Sequence, residues 1–281
     1  MTNFPKSSIM FFVWAGTLLC AGSDPDAITI PLHDSSRPPT IHVHTMIGGI
    51  AVRGEDRNDI LVENRASHST RENRENREDH EPRSDGMRRL DLGSLNGLDV
   101  TEDNNVVSIK TDIFGRHGGE IVVEVPRHAS LELKSMTGGE ITVENVDGEI
   151  EVDNMNGAIH LKDVAGSVVA HSQNGAVSAN LKRVDPAKPM SFSTMNGDID
   201  VTLPPDVKAR VSLKTDNGEI LSDFDVKLEA PVRALSPGSG RQPDGSFHVR
   251  LDKTLHGTIN GGGPEYQFRS FNGKIFIRKG K

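Results

Sequence analysis

The sequence predicts an all-β chain wound as a single β-solenoid of stacked parallel coils, each about 18–22 residues long with two main strands. Three observations predict it. Between residues 139 and 175 a glycine recurs every nine residues, and apolar residues stand two and four places after each one. At every second interval the turn is Asn-Gly.

The consecutive copies are Gly139-Glu-Ile-Thr-Val143, Gly148-Glu-Ile-Glu-Val152, Gly157-Ala-Ile-His-Leu161, Gly166-Ser-Val-Val-Ala170 and Gly175-Ala-Val-Ser-Ala179. Others begin at Gly48, Gly119, Gly197, Gly218 and Gly273. Apolar residues at every second place mark a half-buried strand, and the 3.6-residue spacing of an amphipathic helix is absent. Glycine at the strand boundaries supplies a turn with positive φ. The dipeptides at Asn156, Asn174, Asn196, Asn217 and Asn272 suit a repeated tight corner, because asparagine tolerates the left-handed region. The expected structural turns are therefore Gly139, Gly148, Asn156-Gly157, Gly166, Asn174-Gly175, Asn196-Gly197, Asn217-Gly218 and Asn272-Gly273.

Stacking in chain order places Ile141, Ile159, Val177, Ile199 and Ile220 in one interior row. Ile150 and Val168 occupy the opposite row, followed by Phe192 and then Val211 or Leu213. One coil cannot offset the entropy of ordering its own backbone, so such arrays need several coils and capped ends. The repeat count suggests about ten coils at ~4.8 Å each.

The remaining segments set the boundaries. Lys6 followed by the apolar run Ile9–Ala21 reads as a signal peptide over residues 1–22, with a retained anchor as the alternative. Cys20 is the only cysteine. Leu19 before it argues against lipid modification, and cleavage after Ala21 or Gly22 removes it, leaving no disulfide or thiolate metal site. Residues 23–37 read as a linker and 38–281 as the solenoid domain. Inside that domain, 65–89 carries the run Arg-Glu-Asn, Arg-Glu-Asn, Arg-Glu-Asp and reads as a solvated, disordered insertion. Residues 236–246 read as a Pro/Gly loop.

The stretches "VEVPRHASLELKSMTGGEI" (123–141), "VTLPPDVKARVSLKTDNGEI" (201–220) and "LHGTINGGGPEYQFRSFNGKIFIRKG" (255–280) share a strand-and-glycine-turn style. Together they resemble the bacterial putative-adhesin family of β-strand-repeat proteins, and are similar to the domain heading some autotransporter adhesins. The resemblance implies an exported, non-enzymatic β-solenoid and carries over no catalytic residues.

The net charge of −8 excludes the basic footprint of a nucleic-acid binder. The outward acids Glu140, Glu144, Glu149, Glu151 and Asp153 read as a solvated face; in the alternative they serve a polysaccharide-processing enzyme. Tyr266 is the only tyrosine, and Trp14 lies in the signal, so few rings remain to stack on a sugar. His42 and His44 share one strand face and His33 is near in sequence, but no cysteine or acidic run completes a metal site. Calcium is not expected, because the third position of each repeat is Ile or Val rather than Asp. The expectation is a binding or structural element of the cell envelope, with no cofactor and no catalysis. Its partner would be an envelope or extracellular protein or glycan, and membrane contact would come only through an uncleaved N-terminus. Envelope-stress sensing is a further alternative.

Overall fold

The computed structural model describes residues 27–65, 97–111, 119–229, 240–241, 247–248 and 254–281. The expected signal peptide and nearly all of the charged insertion lie outside these residues. The first strands are β1 (Ala27–Pro31), β2 (Thr40–Ile47), β3 (Gly49–Glu55), β4 (Asp59–Arg65), β5 (Leu98–Asp103), β6 (Val106–Thr111) and β7 (Glu120–Pro126). The central ones are β8 (Ser130–Thr137), β9 (Ile141–Glu144), β10 (Asp147–Asn156), β11 (Ile159–Asn174), β12 (Val177–Val184), β13 (Met190–Asn196) and β14 (Ile199–Leu203). Then come β15 (Ala209–Asn217), β16 (Ile220–Ser222), β17 (Lys227–Leu228), β18 (Gly240–Arg241), β19 (Phe247–His248), β20 (Leu255–Ile259), β21 (Glu265–Asn272) and β22 (Ile275–Lys279).

The parallel pairings define two opposed faces joined at corners, which is the expected solenoid. The first face stacks β6, β2, β8, β10, the second half of β11, β13, β21 and β15. The second face stacks β7, β3, β9, the first half of β11, β12, β14, β22 and β16. Among the described residues these pairs make eight two-stranded coils, where the repeat count suggests about ten. Antiparallel strands supply the remaining height. β5 covers β6, β4 and β1 extend from β7, and β20 with β17 extends from β15.

The coils do not all stack in chain order. The β2/β3 coil lies between β6/β7 and β8/β9, while β21/β22 lies between β13/β14 and β15/β16. At each end the last two coils are transposed, so neither terminal coil is outermost. The expected row is corrected accordingly: Ile121, Ile50, Ile141, Ile159, Val177, Ile199, Ile275 and Ile220 follow one another, with Ile275 between Ile199 and Ile220. Ile141, Ile159 and Val177 are fully buried. On the opposite face Phe192 continues the row of Val152 and Ala170, and Phe268 comes before Leu213. The Phe192 and Phe268 rings stack at 5.3 Å.

Ala27–Pro31, expected to be linker, is strand β1 paired with β4. The expected Pro/Gly loop contains β18, which pairs with β19; the rest of that loop lies outside the described residues.

The two corners of a coil are built differently. At the Asn-Gly corner the asparagines do not have left-handed backbones. Among the described residues other than glycine that conformation falls on Asn104, Asn105, Asn145, Asp163 and Asn260. Asn145 and Asp163 turn the other corner, and each is followed by a buried valine, Val146 or Val164. Nor is positive φ what the glycines share, since Gly139, Gly148, Gly175 and Gly218 lack it. What Gly139, Gly157, Gly175, Gly197, Gly273 and Gly218 share is contact with the glycine of the next coil. A Cβ on Gly175 would stand 2.1 Å from the carbonyl oxygen of Gly157, and one on Gly273 would stand 1.9 Å from that of Gly197. No other residue fits so close an approach.

Candidate functional site

The Asn-Gly corner carries two polar ladders along the axis. Inside, Thr45, Ser135, Asn154, Ser172, Thr194, Ser270 and Thr215 lie in successive register. Five hydroxyls of this row, from Ser135, Ser172, Thr194, Ser270 and Thr215, donate to the carbonyls of Gly48, Gly157, Gly175, Gly197 and Gly273. The Asn154 amide donates likewise to Gly139 at 3.0 Å. Outside, Asn174 donates to Asn156, Asn196 to Asn174, Asn272 to Asn196 and Asn217 to Asn272, at 2.8–3.1 Å. The asparagines are therefore used for their stacked amides. The glycine N–H groups at 157, 175, 197 and 273 donate to the asparagine carbonyl of an adjacent coil. This edge is closed on itself and offers a ligand little unpaired backbone.

The first face does offer a recognition surface. Alternation turns Ser108, His42, Glu132, Glu151, Val169, Ser191, Gln267 and Ser212 outward in one row. Next to it run Lys110, His44, Lys134, Asp153, His171, Ser193, Arg269 and Lys214. The second row is mostly basic, while the first has an acidic centre.

A shallow concavity of about 220 Å³ lies over that centre. Thr40, His42, Ser130, Glu132, Glu149, Glu151 and Ser167 supply its polar lining, and Val169 borders it. In its lining His42 Nδ1 lies 2.7 Å from one oxygen of Glu132, and beside it His44 Nε2 lies 3.8 Å from the other. The Lys134 ammonium donates to Glu132. That hydrogen bond, chiefly, holds the Glu132 carboxyl below its usual range. Burial pushes the His44 imidazole below the ordinary histidine value, and the Lys134 charge adds to the effect.

Glu132 escapes a sequence search because it is 90 residues from His42. Only the transposed stacking of β2 on β8 brings the two together. It does complete a carboxylate between the two histidines, but Lys134 occupies that carboxylate. Among the described residues no group of three His, Cys, Asp or Glu side chains is arranged to hold a metal ion.

The acids considered for glycan chemistry are divided between the faces. Glu149, Glu151 and Asp153 are on β10 of the first face, whereas Glu140 and Glu144 are at β9 of the second. Glu149 is paired with Lys188. Glu144 is bonded to Lys162 at 2.9 Å, which holds its carboxyl low. General-acid hydrolysis needs a carboxyl raised toward neutrality, and the Lys162 bond moves Glu144 in the opposite direction.

His160 and His171 belong to different halves of β11 and do not meet. Each instead contacts a serine of the next coil at 2.8 Å, Ser178 and Ser193 respectively. His160 Nε2 also lies 3.7 Å from Glu140. The Ser178–His160–Glu140 order has the form of a nucleophile, base and orienting acid. However, β12 is hydrogen-bonded on both sides, so its backbone N–H groups are not free to form an oxyanion hole. Tyr266 is fully buried and so is withdrawn from any sugar-stacking surface.

The Toastrack DUF4097 family model matches residues 119–260, half of the chain. The chain belongs to this family. For a Toastrack protein the stacked strands and glycine corners are the fold itself, and the putative-adhesin resemblance read from the sequence agrees with it. None of the curated proteins matches this sequence. Two solved structures are similar. One is a "putative cell adhesion protein" from Clostridium sporogenes, with 9% identity, a TM-score of 0.41, and coverage of 90% of this chain and 99% of that one. The other is a "putative adhesin" from Bacteroides fragilis, with 11% identity, a TM-score of 0.27, and coverage of 90% and 95%. At these values neither likeness bears on function.

Proposed function

We propose that this Toastrack protein is an exported, non-enzymatic, adhesin-like interaction or structural element of the bacterial cell envelope, facing the periplasm or the exterior. One observation carries the reading. The first face is an open sheet surface eight strands across, and its outward rows are mostly polar and charged side chains, among them the cross-coil pairs His42–Glu132 and His171–Ser193. Such a surface suits many weak, regularly spaced contacts with an extended protein or glycan. It is poorly suited to enclosing a reacting bond. The short apolar stretch Ile9–Ala21 behind Lys6 supports export.

The test has two arms. Cells are fractionated and the N-terminus of the recovered chain is sequenced; a chain beginning near residue 23 in an extracytoplasmic fraction is expected. The chain immobilised by its C-terminus is then passed over envelope polysaccharide and outer-envelope protein fractions. Retention without turnover is expected. Recovery of the uncleaved chain from the cytoplasm sinks the envelope role. Polysaccharide cleavage that disappears in a Glu149→Gln, Glu151→Gln variant sinks the non-enzymatic role.

A further inference from the structure

We propose that the thioethers of Met46, Met136 and Met155 form a binding site for a soft monovalent metal ion, copper(I) by its chemistry. The inference goes beyond the envelope reading and does not depend on it.

Each of these residues follows the buried hydroxyl or amide of its corner, as in Thr45-Met46, Ser135-Met136 and Asn154-Met155. Thr45 pairs with Ser135 and Ile47 with Thr137, while Asn154 pairs with Ser135. The three methionines therefore occupy one outward position on three adjacent coils. The row continues as Gln173, Met195, Phe271 and Asp216, so the thioethers are consecutive only over these three. Met136 and Met155 are 42% and 41% exposed. Of the five methionines among the described residues, Met190 alone is in the core; the others, Met46, Met136, Met155 and Met195, all stand in this row.

Outward positions at a strand end take β-branched or polar residues readily, and methionine has no conformational advantage there. What methionine adds is a polarizable sulfur on three rotatable bonds. Coils repeat at ~4.8 Å, so three such side chains can turn their sulfurs toward a common point above Met136. Thioethers favour copper(I) over hard cations such as calcium or magnesium. The platform beneath is fixed, because the Asn156 amide donates to the Met136 carbonyl at 3.3 Å and is itself held by Asn174. In the neighbouring outward row Asp153 stands beside Met155, while Lys134 and His44 hold the same place beside Met136 and Met46, so the sulfurs rather than the local charge must hold the cation. Thioethers carry no titrating proton, so binding should persist at pH values where histidine is protonated.

The test uses the full chain with Cys20→Ser, which removes the competing thiol, and silver(I) as a redox-inert stand-in for copper(I). Methionine methyl groups are labelled with 13C and followed by NMR as silver nitrate is added at pH 7 and pH 5. The Met46, Met136 and Met155 methyls should shift together and saturate at one ion, at both pH values, with Met190 unmoved. Replacing all three by leucine should weaken binding roughly tenfold or more. Should that variant fail to fold, Met136→Leu alone, at the centre of the row, decides by the same criterion. The proposal is overturned if the three methyls do not move, if Met195 responds equally, or if the leucine variants bind as before.

Discussion

Ile199 lies in direct register with Ile275, and Ile220 stands one coil beyond. The C-terminal coil is thus a middle layer of its end of the solenoid. Stacked repeats depend on their neighbours, so deleting residues 265–281 should do more than shorten the rod. β15 and β16 would lose their parallel partners, while β13 and β14 would be left with an open edge. The expected outcome in limited proteolysis is rapid cleavage within 209–222, with 141–181 still protected. Continued protection of 209–222 would mean that the outer coil stands without the inserted one.

The glycine corners can be tested by two substitutions with different expected costs. Gly138 has a φ of +63° and nothing within 4 Å of an added Cβ, so Gly138→Ala should cost only the left-handed backbone penalty, about 1–2 kcal/mol. Gly175 lacks a positive φ, but its Cβ would meet the Gly157 carbonyl oxygen at 2.1 Å. Relief requires two coils to separate, so Gly175→Ala should cost at least ~3 kcal/mol. Denaturant unfolding of both variants checks the order. If Gly138→Ala is the worse, conformation rather than contact selects these glycines.

Much of the fold is legible in the sequence, for a physical reason. The two-residue alternation fixes which side chains face inward, and the glycine interval fixes where a coil turns; both are local. The central coils from Gly139 to Leu203 stack in chain order because each follows its predecessor through a connection of at most five residues with no strand of its own. What the sequence does not display is the transposition at the ends. Ile220 and Ile275 carry the same motif, and pattern alone gives no preference for either beside Ile199. The candidate site is hidden for the same reason, since His42 meets Glu132 only through that transposition. The buried ladder was present as a pattern: Ser172, Thr194, Thr215 and Ser270 each stand three residues before the glycine of an Asn-Gly pair. A buried hydroxyl at that place is what satisfies the carbonyl of an adjacent coil's glycine.

Tyr266 lies in the interior with its hydroxyl unpaired, and burial pushes the phenol up to about 12. A buried hydroxyl without a partner carries its desolvation cost uncompensated. Tyr266→Phe keeps the ring and should therefore stabilise the chain, by about 1 kcal/mol. A rise in melting temperature is the expected reading. A fall would show that the hydroxyl bonds to an internal water whose loss matters more.

The His44–Glu132 pair makes stability depend on pH in two separate windows. Burial, then Lys134, lower the His44 value from 6.5, with smaller contributions from His42 and Lys110 and opposition from Glu132. The unfolded chain therefore takes up that proton first. Stability from His44 is intact above pH 6.5 and declines as pH falls from there toward the folded-state value. Glu132 is lowered from 4.5, so its contribution is intact above pH 4.5 and is lost as pH falls through its own folded value. Melting temperatures measured from pH 8 to pH 3 should fall in two stages. His44→Gln should remove its share of the upper stage. Glu132→Gln should reduce the lower stage and deepen the upper one, because the carboxylate that favours the imidazolium is gone. If His44→Gln leaves the upper stage unchanged, the proton belongs to another histidine and this pair does not couple the surface to acidity.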